Sequence, residues 1–401
     1  MRTGVVTIFA LGGISNVGEA FLVDCTRWLV NANGGGWDVC VEELMPTVAQ
    51  VGEKLGNHSL ARLLLWMSQR AYNCRYLFPA SYRYWFLDLA YRIRYGLYYK
   101  RCLDNSRCVI YAVGMLKFAI QDFSYVFDLI NKIAEKKKIP VMMNAMSIAK
   151  SKRNDWRFGQ LVRAVNRKSV KMVTTRDGVA GLDRLRNEYV QNKDIATISV
   201  GDVALWIPEV YGVRAQSKGG TRIGINVPRF GLFKDYDGGV SDEELMRFYV
   251  NLLRTVEASG VECCLFCNGM DADWTFGTEL LKRVGSSKIA LLPKARTAWD
   301  YLNQANGFSA IFAVRFHACV TAFALGIPFL GLIWDDKLRF FAQEFGLSSV
   351  FLERNELDGR LVAERLINLL GKDCVGRDKL GIYKDKTKNS FDLFLEMMEN
   401  A

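Results

Sequence analysis

Short apolar runs alternate with helical periodicities from one end of this chain to the other. That alternation predicts a parallel α/β fold. In the first half the runs are Val5–Ala10, Trp37–Glu42, Cys108–Val113, Val141–Ala145, Lys171–Thr175 and Ile195–Val200. A polar stretch, Tyr211–Thr221, contains Gln216-Ser217-Lys218-Gly219-Gly220 and reads as a linker. The pattern then restarts with Arg222–Val227, Glu262–Cys267, Lys288–Leu292, Ala310–Val314 and Phe329–Ile333. Ser241-Asp242-Glu243-Glu244 is a capping box that opens a helix running towards Ala258. The expected organisation is an N-terminal Rossmann-like domain over 1–210, a C-terminal one over 222–375, and a last segment, 376–401, whose helix near Ser390–Met398 packs back on the first half. The implied architecture is two Rossmann-like domains facing a cleft.

Residues 307–337 carry the most chemistry. An apolar strand, Ser309–Val314, meets the polar elbow Arg315-Phe316-His317, and a helix of small and apolar residues follows. Gly326 and Pro328 end that helix, and a second apolar strand leads to Trp334-Asp335-Asp336-Lys337. In parallel α/β sheets ligands sit outside the carboxyl ends of strands, where helix N-termini offer N–H groups to anions. Arg315, His317 and Lys337 are all expected at such an edge. A guanidinium, an imidazole and an ammonium together suit an anionic substrate that needs a proton.

Composition narrows the reading only in places. Half of the 401 residues are hydrophobic and seven are proline, which argues for a folded chain with ample core and against disorder. Ten cysteines are scattered, several in strand-like runs such as Glu262-Cys263-Cys264-Leu265-Phe266-Cys267. Cys264-x-x-Cys267 is half of a metal or redox motif with no second pair, so buried thiols in a reducing compartment are expected, and no metal. The run Val5–Leu11 is too short to span a bilayer, and a cytoplasmic protein is expected. A net charge of +11 invites acidic partners without choosing among them.

Four further features have a plain and a functional reading. Gly12-Gly13-Ile14-Ser15-Asn16-Val17-Gly18 leads into the helix Glu19–Val30; it lacks the dinucleotide spacing G-x-G-x-x-G, and is either a simple turn or a ligand turn. Residues 70–101 set seven basic side chains among eleven aromatic ones against a single acid, Asp88. Internal packing, a lipid surface and single-stranded nucleic acid all suit that mixture, nucleic acid least. His58 reads as an exposed loop histidine before a helix Leu60–Gln69, and Asp271-Ala272-Asp273 as solvated loop acids.

The elbow Arg315-x-His317-Ala318, the turn Gly326-x-Pro328, the strand Gly331-Leu332 and the tail ending in Lys337 resemble the C-terminal signature of the polysaccharide pyruvyl transferases. Upstream, Asn16-x-Gly18-Glu19, Arg176-Asp177, Asp202-x-Ala204-Leu205 and Ile223-Gly224-Ile225-Asn226 are similar to that family's other motifs in the same order. Its glycine cluster is represented here only by Ala112-Val113-Gly114-Met115. The resemblance implies a glycosyltransferase-B-like fold and transfer of pyruvate from phosphoenolpyruvate to a saccharide acceptor, lipid-linked or not, as a cyclic ketal. Phosphoenolpyruvate is then a co-substrate and no cofactor is needed. It further implies His317 as the proton donor, Arg315, Arg176, Phe316 and Lys337 as the phosphoenolpyruvate site, and Asn16, Gly18 and Glu19 on the acceptor side. An anionic membrane surface is an expected partner through residues 70–101, placing the chain peripherally on the inner membrane face. A nucleotide-sugar glycosyltransferase and a non-catalytic membrane-associated binding protein remain as alternatives at this stage.

Overall fold

A computed structural model describes residues 4–12, 16–32, 36–78, 80–116, 123–150, 155–213, 221–236 and 239–399. The linker expected at Gln216–Gly220 and the turn residues Gly13, Ile14 and Ser15 lie outside them. The apolar runs become parallel strands because both faces of each sheet are covered, so their side chains are buried on either side. Seven strands belong to a first sheet: β1 (Val5–Ala10), β2 (Asp38–Glu43), β3 (Ser106–Ala112), β4 (Met115–Leu116), β5 (Val141–Ile148), β6 (Val170–Thr175) and β7 (Ala196–Ser199). Their order is β2-β1-β3-β5-β6-β7, with β4 added on β5. A second sheet holds β8 (Ile223–Asn226), β9 (Cys263–Phe266), β10 (Ala290–Leu291), β11 (Ala310–Ala313), β12 (Phe329–Leu332) and β13 (Phe351–Leu352), in the order β10-β9-β8-β11-β12-β13. All pairings are parallel.

The chain falls into two units. The first comprises Met1–Gly13, Thr26–Val200 and Lys388–Ala401, the second Ile14–Cys25 and Gly201–Thr387. The first part of helix Val17–Ala32 thus belongs with the second unit. There the buried Phe21 ring lies 5.9 Å from the rings of both Tyr211 and Tyr301, and Asp24 accepts from the Tyr211 hydroxyl. The terminal helix Asp378–Glu399 is likewise shared, and its buried Phe391, Phe394 and Leu395 fall in the first unit.

Three local readings change. The two-residue strands β4 and β13 are too short to show a period, so the sequence pattern misses them. β5 runs beyond Ala145 through a bulge: Met143 pairs with Val173 and Met146 with Thr175, and Ala145 takes φ 48° in between. His58 is exposed, but it opens the helix His58–Cys74 behind the N-cap Asn57, whose side chain accepts from the Leu60 amide at 2.8 Å.

The segment 70–101 is packed inward at one end and exposed at the other. It runs from the end of helix His58–Cys74 into helix Ala80–Cys102, and these two pack on each other. Tyr95, Tyr98 and Tyr99 are buried, Tyr99 donating to the Leu44 carbonyl at 2.6 Å and Tyr98 to the Glu42 carboxylate at 3.2 Å. Arg92 pairs with Asp88 at 2.6 Å. That end is internal packing. Tyr72, Tyr76, Tyr82, Tyr84 and Trp85, at the other end, face outward.

Glycine positions in the second unit offer a clean test of packing. A Cβ on Gly359 would stand 2.4 Å from the Phe248 carbonyl oxygen and 2.6 Å from the Leu252 amide nitrogen, where helices Gly359–Ile367 and Asp242–Ala258 touch. A Cβ on Gly381, in the terminal helix, meets nothing within 4 Å. Gly359→Ala is therefore expected to destabilise by about 1–3 kcal/mol, and Gly381→Ala to stabilise by up to ~1 kcal/mol. Denaturant midpoints of the two variants check this; equal effects would contradict the helix contact.

Candidate functional site

In the second sheet the chain moves outward from β8 through β9 to β10, then returns to the other side of β8 as β11. This reversal makes the carboxyl ends of β8 and β11 the place where such a sheet presents a ligand site. Asn226 ends β8, and its side-chain oxygen accepts from the amides of Arg315 at 3.0 Å and Val314 at 3.4 Å. Its amide group donates to the Asn268 side-chain oxygen at 3.0 Å, and the Asn268 carbonyl accepts from the Val17 amide at 3.1 Å. One buried carboxamide thereby fixes the ends of β8 and β11 and the loop after β9.

Arg315 is the residue before helix Phe316–Leu325, in extended conformation, and Gly326 closes that helix at φ 76°. Its guanidinium meets Asp273 side-on: Nε donates to one carboxylate oxygen at 2.9 Å and Nη2 to the other. Asp273 is 0 % exposed and stands in the first turn of helix Asp271–Val284, so the solvated-loop reading of this acid is overturned. Burial pushes the Asp273 carboxyl up from its ordinary range, and Arg315 opposes that by favouring the carboxylate. A guanidinium carries five N–H bonds. Asp273 engages two, which leaves the Nη1/Nη2 edge directed away from Asp273 as a second planar fork.

His317 sits in the first turn of the same helix and is 8 % exposed. Its Nε2 lies 4.0 Å from the carboxylate of Asp202, itself buried. Asp202 is immobilised because its other role is to cap the short 3-10 turn Val203–Trp206, accepting from the Ala204 amide at 2.8 Å. On the opposite side the imidazole packs on Gly18, where any Cβ would overlap the ring. Asn16 prepares that contact by accepting from the Gly18 amide through its side chain at 3.1 Å and from the Glu19 amide through its carbonyl at 3.0 Å. The structure therefore joins the Asn16-x-Gly18-Glu19 turn to His317 directly.

Phe316 and Lys337 adjoin this group. The Phe316 and His317 rings are 5.3 Å apart. Lys337 Nζ lies 3.5 Å from Asp335, 4.8 Å from the Trp334 ring centroid and 5.8 Å from that of Phe316. Trp334 is held in turn by its indole N–H, which donates to the Val314 carbonyl at 2.5 Å.

Arg176 belongs to the first unit, just past β6. It donates through Nη2 to the Gly114 carbonyl at 2.8 Å, and a Cβ on Gly114 would overlap the guanidinium. Gly114 is thus the residue that lets the Arg176 guanidinium lie against the turn after β3. Asp177 steadies the neighbouring strand end by accepting from the Ile148 amide at 2.6 Å and the Ser147 hydroxyl at 3.0 Å.

Of the expected site residues, His317, Arg315, Phe316, Lys337, Asn16, Gly18 and Glu19 stand in the second unit and Arg176 in the first. Sequence reasoning assigned no role to Asp202, Asp273, Asn226 or Asn268. The only sign was that Asp202 and Asn226 sit inside family-like motifs. Cys263, Cys264 and Cys267 are buried free thiols, and burial pushes Cys263 up to about 12. Among the described residues no three His, Cys, Asp or Glu side chains group as metal ligands.

Solved structures share the fold at low identity. UDP-N-acetylglucosamine 2-epimerase from Methanocaldococcus jannaschii superposes with TM-score 0.53 at 12% identity, over 96% of this chain and 99% of that one. The corresponding enzyme from Rickettsia bellii gives 0.51 at 12%, over 100% and 98%, and a trehalose-6-phosphate synthase 0.53 at 12%, over 99% of both. These likenesses show a glycosyltransferase-B-like fold. No curated protein sequence matches the chain at a significant level. The family profile described as polysaccharide pyruvyl transferase matches residues 55–336, through β8, Asp273, the Arg315-x-His317 turn and Trp334, and the chain belongs to that family.

Proposed function

We propose that this chain transfers pyruvate from phosphoenolpyruvate to two hydroxyls of a saccharide, part of a surface polysaccharide or its lipid-linked precursor, and releases phosphate. The observation that carries this reading is the imidazole of His317 held between the Asp202 carboxylate and the Gly18 backbone, two residues from a braced guanidinium. His317 protonates the C3 methylene of the donor, and the positive charge falls on C2, shared with the enol oxygen. A first hydroxyl then adds to C2 and loses its proton. The C2–O bond to phosphate breaks, a second hydroxyl adds and loses its proton, and the cyclic ketal is complete. One of the two hydroxyl protons restores His317 and the other leaves with phosphate.

Imidazole titrates closer to neutral pH than any other side chain, which suits both giving and regaining a proton. Asp202 stabilises the imidazolium at a distance and holds the ring. Arg315 presents its second fork to the donor carboxylate, a geometry that planar guanidinium matches with two parallel hydrogen bonds. Asp273 positions Arg315 and half-neutralises it. The donor is gripped by direction as well as by charge. Lys337 is assigned to the phosphate, and Phe316 to the methylene edge. The Asn16–Glu19 turn is assigned to the acceptor. The scheme uses no metal.

Phosphate release from phosphoenolpyruvate in the presence of a sugar acceptor is the test. His317→Ala is expected to fold normally and lose roughly 10²–10⁴ in turnover, and Asp202→Asn about tenfold or more at near-normal donor KM. Wild-type turnover in His317→Ala would sink the assignment, and nucleotide release from a nucleotide sugar would replace it with glycosyl transfer.

Arg315→Lys keeps the charge and loses both forks, so phosphoenolpyruvate affinity by calorimetry should fall roughly 10–100-fold. Asp273→Ala strands a guanidinium in a buried place and should cost about 3–5 kcal/mol of stability in denaturant unfolding. Unchanged affinity in the first variant would move the donor elsewhere, and unchanged stability in the second would show that the pair does not brace the site.

A further inference from the structure

The helical hairpin of the first unit is built inside out at its tip. In helix His58–Cys74 the buried positions are Ala61 and Ser68, while Leu63, Trp66 and Met67 face solvent, Trp66 at 54 % exposure. Leu63, Trp66, Met67 and Arg70 share one face, at the i, i+3, i+4, i+7 spacing. The turn beyond the helix continues that surface with Tyr76, Leu77 and Phe78, Leu77 being 79 % exposed, and the next helix adds Tyr82, Tyr84 and Trp85. Soluble proteins rarely leave so large a continuous apolar patch uncovered without a use for it.

Its charge is as one-sided as its apolarity. From His58 to Phe86 the sequence has no acidic residue; Arg62, Arg70 and Arg83 are exposed among the aromatics and Arg75 is half-buried. Two of these guanidiniums already lie on rings, Arg70 at 4.8 Å from the Trp66 centroid and Arg75 at 3.3 Å from that of Tyr72 and 4.2 Å from that of Tyr76. Behind the tip, a groove of about 480 Å³ between the two helices is lined by Ser68, Gln69, Tyr72, Asn73 and Arg94, with Ala90 and Tyr91 beside them.

We propose that this tip is a docking surface for an anionic phospholipid bilayer, with Leu63, Trp66, Met67, Leu77 and Phe78 entering the interface and the arginines on phosphate headgroups. Aliphatic side chains that offer nothing to stack on bases point to lipid over nucleic acid. A second copy is disfavoured because a two-fold contact would set one acid-free basic face against itself. No helix among the described residues is long and apolar enough to cross a membrane, so the hairpin lies on the surface. The tip surface differs from the basic end of the 70–101 segment that sequence alone suggests: Arg92 is paired with Asp88, and Lys100 and Arg101 stand at the far end of their helix.

Co-sedimentation of the full chain with vesicles of phosphatidylcholine, with and without phosphatidylglycerol, tests the proposal. Binding should require phosphatidylglycerol and weaken with salt. It should fall on the order of a hundredfold in the triple change Arg70→Gln, Arg75→Gln, Arg83→Gln, and also in Trp66→Ser with Leu77→Ser. Lys100→Gln with Arg101→Gln should bind as wild type. All these variants change side chains that are exposed or, for Arg75, half-buried, and they should keep full phosphate release with a water-soluble acceptor, which separates failure of docking from failure of the catalytic reading. Absent vesicle binding, or binding indifferent to the tip changes, overturns the proposal. So does self-association, or binding to a single-stranded oligonucleotide, that the tip changes abolish while vesicle binding persists.

Discussion

The site depends on one buried side chain, the carboxamide of Asn226. It receives two backbone amides at the start of the Arg315–His317 turn and passes a hydrogen bond to Asn268, which receives Val17. Without it the amides of Val314 and Arg315 would lose this partner at the reversal point of the sheet. A buried polar group left unsatisfied costs more than a typical made hydrogen bond contributes. The network therefore sets where helix Phe316–Leu325 begins, and with it the direction in which Arg315 and His317 leave the sheet.

Two carboxylates then act on those two residues in different ways. Asp273 engages Arg315 through both oxygens and determines its plane. Asp202 faces His317 across 4.0 Å, a distance that favours imidazolium electrostatically without a direct hydrogen bond. The guanidinium plane is thus set by a two-point contact, and the imidazole stands beside a carboxylate.

Much of this was legible in the sequence, and the failures have specific causes. Apolar runs report burial directly, so β1 and β8 through β12 were found near their observed limits, and the Ser241–Glu244 capping box closes as its spacing implies. The Arg315-x-His317 turn could be read because strand, polar elbow, helix and glycine stop are all local. Asp273 could not. Its sequence neighbours Ala272 and Trp274 give no hint of an ion pair, and nothing in Asp271-Ala272-Asp273 tells of a guanidinium more than forty positions later. Asp202 gave no sign of facing His317, since that contact comes from tertiary folding alone. Helix Val17–Ala32 reads as a single amphipathic element, yet Phe21 and Asp24 tie its start to the second unit while Thr26 onward belongs to the first. In residues 70–101 aromatic and basic side chains recur so densely that no period separates the inward face from the outward one. Only the packed structure distinguishes Tyr99 from Tyr76.

The central claim is that carbon, the C3 methylene of the donor, takes a proton from the enzyme. The most direct measurement is the deuterium content of the ketal methyl group formed from phosphoenolpyruvate in D₂O, read by mass spectrometry and NMR after a single turnover. The account predicts one solvent-derived deuteron in every transferred methyl group, and no such product at a comparable rate from His317→Ala. A ketal methyl group free of solvent deuterium, or one formed as fast without the imidazole, would contradict it.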